Sequence, residues 1–175
     1  MYLLIPLIPL LALLLTVMPL YAGLAYPGFT GHINTPSAYV TQEGQLDAMV
    51  NNQHEYRFGN AVDGRNTLFS IGLFPHVELG GRHAVGYPKV KGSSGYADWY
   101  THNDLSGNLK IHLPLNFRYL PDLAIGMQDF GGLAAHFSSR YLVASLQYSG
   151  FTLSAGYRSS DLIAPGAFAA ARWRP

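Results

Sequence analysis

Beyond residue 25 the chain alternates apolar and polar positions with a period of two, and no segment carries a 3.6-residue apolar repeat of helical length. Leu46, Ala48 and Val50 alternate with Asp47, Met49 and Asn51; His54, Tyr56 and Phe58 alternate with Glu55 and Arg57. Asp63-Gly64 reads as a turn, because both residues tolerate a positive φ. Thr67, Phe69, Ile71 and Leu73 follow, interleaved with Leu68, Ser70 and Gly72.

Three places allow the strand register to be worked out. If Ser149-Gly150 is a two-residue hairpin loop, Leu146 faces Leu153, Ala144 faces Ala155, Leu142 faces Tyr157 and Tyr148 faces Phe151. The opposite face then pairs Gln147 with Thr152, Ser145 with Ser154, Val143 with Gly156 and Tyr141 with Arg158. One face is wholly apolar and the other mostly polar, and a one-residue slip destroys the sorting. A hairpin around Phe74-Pro75-His76 sets Ile71 against Leu79 and Gly72 against Glu78. A looser pairing joins Leu109, Ile111 and Leu113 to Met127, Ile125 and Leu123. About eight strands are predicted, in an all-β, antiparallel up-and-down meander.

Alternation alone does not say whether the apolar face meets a core or lipid, since a β-sandwich and a membrane barrel share the pattern. Tyr141, Tyr148, Phe151 and Tyr157 near strand ends suit an interfacial girdle, and the non-apolar faces carry small neutral groups suited to a narrow lumen. These features favour an outer-membrane β-barrel, or an incomplete one. On that reading Glu55, Arg57, Gln128, Gln147 and Arg158 face the lumen.

The N-terminus points the same way. Met1 to Ala25 holds no charged side chain, and its apolar run ends in Ala22, Gly23 and Ala25. Pro6, Pro9 and Pro19 weaken a spanning helix, and no basic cluster follows. Residues 1–25 are read as a cleaved signal peptide and 26–175 as the β-domain, with an uncleaved anchor as the alternative. Either sends the chain out of the cytoplasm.

Of the 175 residues, 49% are hydrophobic and only 12% charged, and aromatics reach 13%, which excludes intrinsic disorder. The net charge of +1 offers no surface for nucleic acid. With no cysteine there are no disulfides, no thiol catalysis and no lipidated N-terminal cysteine.

Five segments, taken in order, carry a family resemblance: Gly31-His-Ile-Asn-Thr-Pro-Ser37, Asn66-Thr-Leu-Phe69, Gly72-Leu-Phe-Pro-His-Val-Glu-Leu-Gly80, Tyr119 to Gly132, and Phe137 to Ser145. Their spacing resembles the YjbH family of outer-membrane exopolysaccharide proteins, from about Gly28 to Tyr157. The resemblance implies an outer-membrane barrel linked to exopolysaccharide or capsule synthesis or export, with membrane lipid, the polymer and other export proteins as partners. Members of that family are much longer, and the ending Arg172-Trp-Arg-Pro175 lacks the final aromatic strand residue of outer-membrane proteins, so a truncated member is an expectation.

No catalytic or cofactor signature competes with this reading. Asp129-Phe-Gly131 spells a kinase triplet, but the phosphate loop, strand lysine and catalytic loop are missing; Asp129 is expected to begin a turn after the strand. No two of the seven histidines have the i, i+2 or i, i+4 spacing of metal ligands, so they read as turn and strand-face residues. A glycosidase carboxylate pair among Glu43, Glu55, Glu78, Asp98, Asp104 and Asp129 needs only spatial proximity and stays open. The polar loop Lys89 to Asp104 offers Tyr96, Trp99 and Tyr100 to stack on sugar faces and Asp104 to bond hydroxyls, against the plainer reading of an extracellular loop. A non-enzymatic barrel without cofactors is the expected function; a soluble periplasmic β-domain binding polysaccharide or an assembly partner, or an inactive fragment, is the alternative.

Overall fold

A computed structural model describes residues 23–52, 55–57, 60–88, 102–115, 120–131, 138–160 and 164–174. Nine strands follow one another: β1 Leu46–Asn51, β2 Glu55–Arg57, β3 Asn60–Phe74, β4 Val77–Pro88, β5 His102–Leu113, β6 Asp122–Phe130, β7 Ser139–Tyr148, β8 Phe151–Ser159 and β9 Gly166–Trp173. They form one antiparallel sheet in the order β1-β3-β4-β5-β6-β7-β8-β9, with β2 also on β3 beyond β1. This is an open, barrel-like meander in which β1 and β9 are the edges, and no helix occurs among the described residues.

The register follows the side-chain sorting. β7 and β8 pair Leu146 with Leu153, Ala144 with Ala155 and Ser145 with Ser154 around Ser149-Gly150, both at positive φ. Ile71 meets Leu79 and Gly72 meets Glu78, and Leu109, Ile111 and Leu113 meet Met127, Ile125 and Leu123. The β3–β4 loop is one residue tighter than expected. Phe74 pairs with Val77 around Pro75-His76, and the extra residue is absorbed as an irregularity between Gly72 and Phe74.

Two local turn expectations fail. Asp63 and Gly64 lie inside β3, paired with Tyr87 and Gly86, because a long partner strand outweighs local turn preference. Asp129 does not end its strand. It sits at φ 57° in a bulge of β6, where Gln128 opposes Asn108 and Phe130 opposes Gly107.

The two faces of the sheet are inverted relative to a water-soluble domain. Leu46, Phe69, Leu105, Ile125, Met127, Leu142, Leu146, Leu153, Tyr157 and Trp173 are exposed, Leu46 by 63% and Trp173 by 61%. The opposite face buries Asn66, Ser70, Glu78, Arg82, Asp104, Ser106, Asn108, Lys110, Ser145, Thr152 and Ser154.

What covers the polar face is residues 23–45, called the strap here. Short bridges of Leu24 with Thr30 and of Gly31 with Pro36 fold it on itself, and Glu43 bridges to Gly72. Ala25, Phe29 and Ala38 of the strap pack with Ala124, Tyr141 and Val143 in a small apolar core. Of the expected leader, residues 1–22 lie outside the described residues, while Ala25 is fully buried.

Candidate functional site

The strap lies on the sheet because β3 and β4 leave room for its backbone. A Cβ at Gly80 would overlap the Gly28 carbonyl oxygen, and one at Gly72 would overlap the carbonyl of Gln42. The segment Gly72 to Gly80, one of those that carry the family resemblance, therefore lies directly against the strap.

Glu78 is the centre of the site. Its Oε1 accepts the Thr30 N–H at 2.8 Å and its Oε2 accepts the Thr41 N–H at 2.8 Å, while the Thr30 hydroxyl also donates to Oε2. One carboxylate thus holds both legs of the strap. Lys110, directly opposite on β5, lies 3.3 Å from Oε1 and donates to the Thr30 carbonyl at 2.7 Å and to Thr30 Oγ1 at 2.8 Å. Buried charges are retained only when paired and hydrogen-bonded, and both conditions are met.

Around this centre the strap is tied at four further points. Asn108 Nδ2 donates to the Pro27 carbonyl at 2.6 Å, and Asn108 Oδ1 accepts the bulged Asp129 N–H at 3.1 Å. Arg82 lies over the Tyr26 ring at 5.1 Å and pairs with Asp104 at 3.6 Å. His32 Nε2 is 2.8 Å from Ser154 Oγ, which is 2.7 Å from Ser145 Oγ; Ser145 Oγ in turn accepts the Ala38 N–H at 2.8 Å. Burial, and secondarily the Arg172 charge, hold the His32 pKa below its ordinary value. Tyr39 is pushed up to about 12 by burial and then by the charge of Asp122 and a hydrogen bond to it.

The expected site residues fall into four groups. Gln128, Gln147 and Arg158 share the strap-bearing face through their partners Asn108, Thr152 and Tyr141. Glu55 and Arg57 take register positions opposite Val62 and Asn60 on β3. Tyr96, Trp99 and Tyr100 lie outside the described residues. Asp104, expected in the loop with them, is instead within β5, opposite Ala84, where it is buried and ion-paired with Arg82. The reason is that β5 begins at His102, so its alternation turns Asp104 to the covered face. Among the carboxylates kept open as a glycosidase pair, both Glu78 oxygens are engaged by the strap and Lys110. Thr30, Thr41, Asn108 and Lys110 were not singled out by the sequence pattern. Asn108 and Lys110 had a signal, being polar residues that alternate with Leu109 and Ile111.

The arrangement is a binding and packing surface of neutral hydroxyls, amides and paired charges. An apolar-out, polar-in antiparallel meander filled by a segment of its own chain defines the class. The family described as exopolysaccharide biosynthesis protein YbjH matches residues 24–171, and the chain belongs to this YjbH family. It is 29% identical over 130 residues to a protein of Escherichia coli (strain K12) named "Uncharacterized lipoprotein YjbH", covering 74% of this chain and 17% of that protein. The chain thus spans less than a fifth of that relative's length. No solved structure matches it.

Proposed function

We propose that the chain is an outer-membrane β-barrel element, non-catalytic, that assists the synthesis or export of exopolysaccharide. The observation that carries this reading is the inverted sheet: Leu142, Leu146, Leu153 and Tyr157 face outward while Glu78, Lys110, Asn108 and Arg82 face the strap. In water such a surface is costly at roughly 25 cal/mol per Å² of apolar area, whereas in a bilayer it is the favoured surface of a barrel. The short connections Pro75-His76 and Ser149-Gly150 share one end of the sheet, as the periplasmic turns of such barrels do.

The polar face is the surface for the polymer. Neutral polar side chains at its exposed margins bond sugar hydroxyls without holding them, which suits a chain that must slide. Gln147, exposed at the Ser149-Gly150 end, is such a margin residue. The strap occupies the middle of this face, so passage of polymer requires it to move or to run alongside. Membrane lipid, the polymer and other export proteins are the partners of this reading; family membership supports the link to exopolysaccharide, and the inverted sheet supports the link to lipid.

The test expresses the chain with its leader, fractionates envelopes and compares heated with unheated mobility in detergent gels. Outer-membrane recovery with a compact unheated band is expected, together with reaction of Leu146→Cys with a lipid-soluble thiol label. A soluble periplasmic product that excludes the label overturns the reading and leaves a polysaccharide-binding domain.

A further inference from the structure

His76 and His112 are far apart in the chain, but the fold sets them face to face at the short-turn end of the sheet. Their Nδ1 atoms are 3.0 Å apart, and the rings, 5.1 Å between centroids, are tilted by 46°. The His112 N–H also donates to the His76 carbonyl at 2.8 Å, which fixes the two backbones against each other. His76 holds φ 72° in the β3–β4 turn, a conformation that non-glycine residues adopt at a cost.

The second ring nitrogen of His112 is also held. Its Nε2 is 3.2 Å from Asp122 Oδ1, and Asp122 in turn is bonded by Tyr39 of the strap. A carboxylate on Nε2 keeps the proton there and turns the Nδ1 lone pair towards His76, the arrangement by which metal-binding histidines are oriented. Two nitrogens bound to one tetrahedral zinc at about 2.0–2.1 Å sit roughly 3.3 Å apart, so a rotation of the rings, with the proton between the two Nδ1 atoms moved to His76 Nε2, converts the present contact into a chelate.

We propose that His76 and His112 form a binding site for a divalent transition-metal ion, with Asp122 orienting His112 from behind. Two imidazole nitrogens come from the protein and water completes the shell. Among the described residues no third histidine or carboxylate converges on the pair, so the site takes a metal that accepts nitrogen ligands and open positions: zinc, nickel or copper(II), the last most tightly. Bound metal ties the β3–β4 turn to β5 and, through Asp122 and Tyr39, to β6 and the strap.

The plain competitor is a His–His hydrogen bond with no affinity for metal. Zinc titration of the full chain folded in detergent micelles, after chelator treatment, separates the two. One saturable zinc per chain is expected, with a rise in the temperature at which the compact band is lost. His76→Gly, which suits the positive φ, and His112→Gln should each abolish both effects. Asp122→Asn should weaken zinc binding about 10–100-fold, as loss of an orienting carboxylate does. His83→Ala, on the outward face of β4, should change nothing. Each variant is first checked for the compact unheated band of the parent. No saturable zinc in the parent, or zinc binding undiminished in His76→Gly, overturns the proposal.

Discussion

Lys110 Nζ lies 3.3 Å from Glu78 Oε1, with each side chain only 1% exposed, and together they grip Thr30 from two sides. A cross-strand pair of β4 and β5 is thereby turned into the anchor of a segment some 48 residues earlier in the chain. Removing one partner leaves the other charge buried without its counter-ion. Glu78→Gln and Lys110→Met should each destabilise the folded chain by roughly 3–5 kcal/mol, and the double variant by less than the sum. Denaturant midpoints in detergent check this; additive losses would mean that the two charges act independently.

Tyr141, on the same covered face, presents the opposite energetic case. Its hydroxyl is buried beside Phe29 with no hydrogen-bond partner among the described residues. An unsatisfied buried hydroxyl costs about 1–3 kcal/mol, so Tyr141→Phe should leave stability unchanged or raise it. A marked loss in the same denaturation assay would show that the hydroxyl is used.

The strap's hold on β8 should depend on pH. Burial and Arg172 keep the folded His32 pKa below its ordinary value, while the unfolded histidine takes a proton near about 6.5. Below that pH the unfolded chain binds the extra proton first. The contribution of neutral His32 is therefore fully present above about pH 6.5 and falls as pH drops towards the lower folded value. His32→Gln should flatten this part of the stability profile, and parallel profiles for the two proteins would exclude the effect.

Leu142 tests the environment of the outer face. In water, an arginine at this half-exposed position changes stability by no more than about 0.5 kcal/mol. At a bilayer midplane it costs roughly 2–4 kcal/mol. A sandwich core would reject the charge as well, but in this fold no second sheet covers Leu142 among the described residues, so the two outcomes separate lipid from water. Leu142→Arg should reduce the folded fraction in membranes by the larger amount, measured by the ratio of compact to heat-extended band.

Gly80→Ala probes the strap itself. The new Cβ collides with the Gly28 carbonyl, and the obstacle is backbone that no side-chain rotation relieves. The strap should lift while β4 persists, seen as faster proteolytic cleavage between residues 26 and 45 in an otherwise compact protein. Unchanged protection would mean that the strap is held elsewhere.

Much of the sheet was legible because its restraints are local. Only one register of the Ser149-Gly150 hairpin sets Leu146, Ala144 and Leu142 opposite Leu153, Ala155 and Tyr157, and that is the register observed. Asp63-Gly64 misled because turn preference is worth little beside the ladder that β3 forms with β4. Asp129 misled similarly, since a bulge absorbed the residue that local chemistry marked as a stop. The candidate site was less legible. Gln128, Gln147 and Arg158 fall on the polar face as alternation requires, but its centre at Thr30, Glu78 and Lys110 does not follow from period or spacing.

From the residues alone came the all-β class, three hairpin registers and the sorting of the paired strands into an apolar and a polar face, because side chains alternate strictly along a strand and neighbours are close in the chain. Which of those faces is covered was left to the tertiary structure. Residues 23–45 lack a period, and their bonds reach Glu78, Ser145 and Ser154, up to 122 positions away. A backbone hydrogen bond to a distant carboxylate leaves no trace in local composition. Nor does the approach of His76 to His112, which depends on β3, β4 and β5 lying side by side.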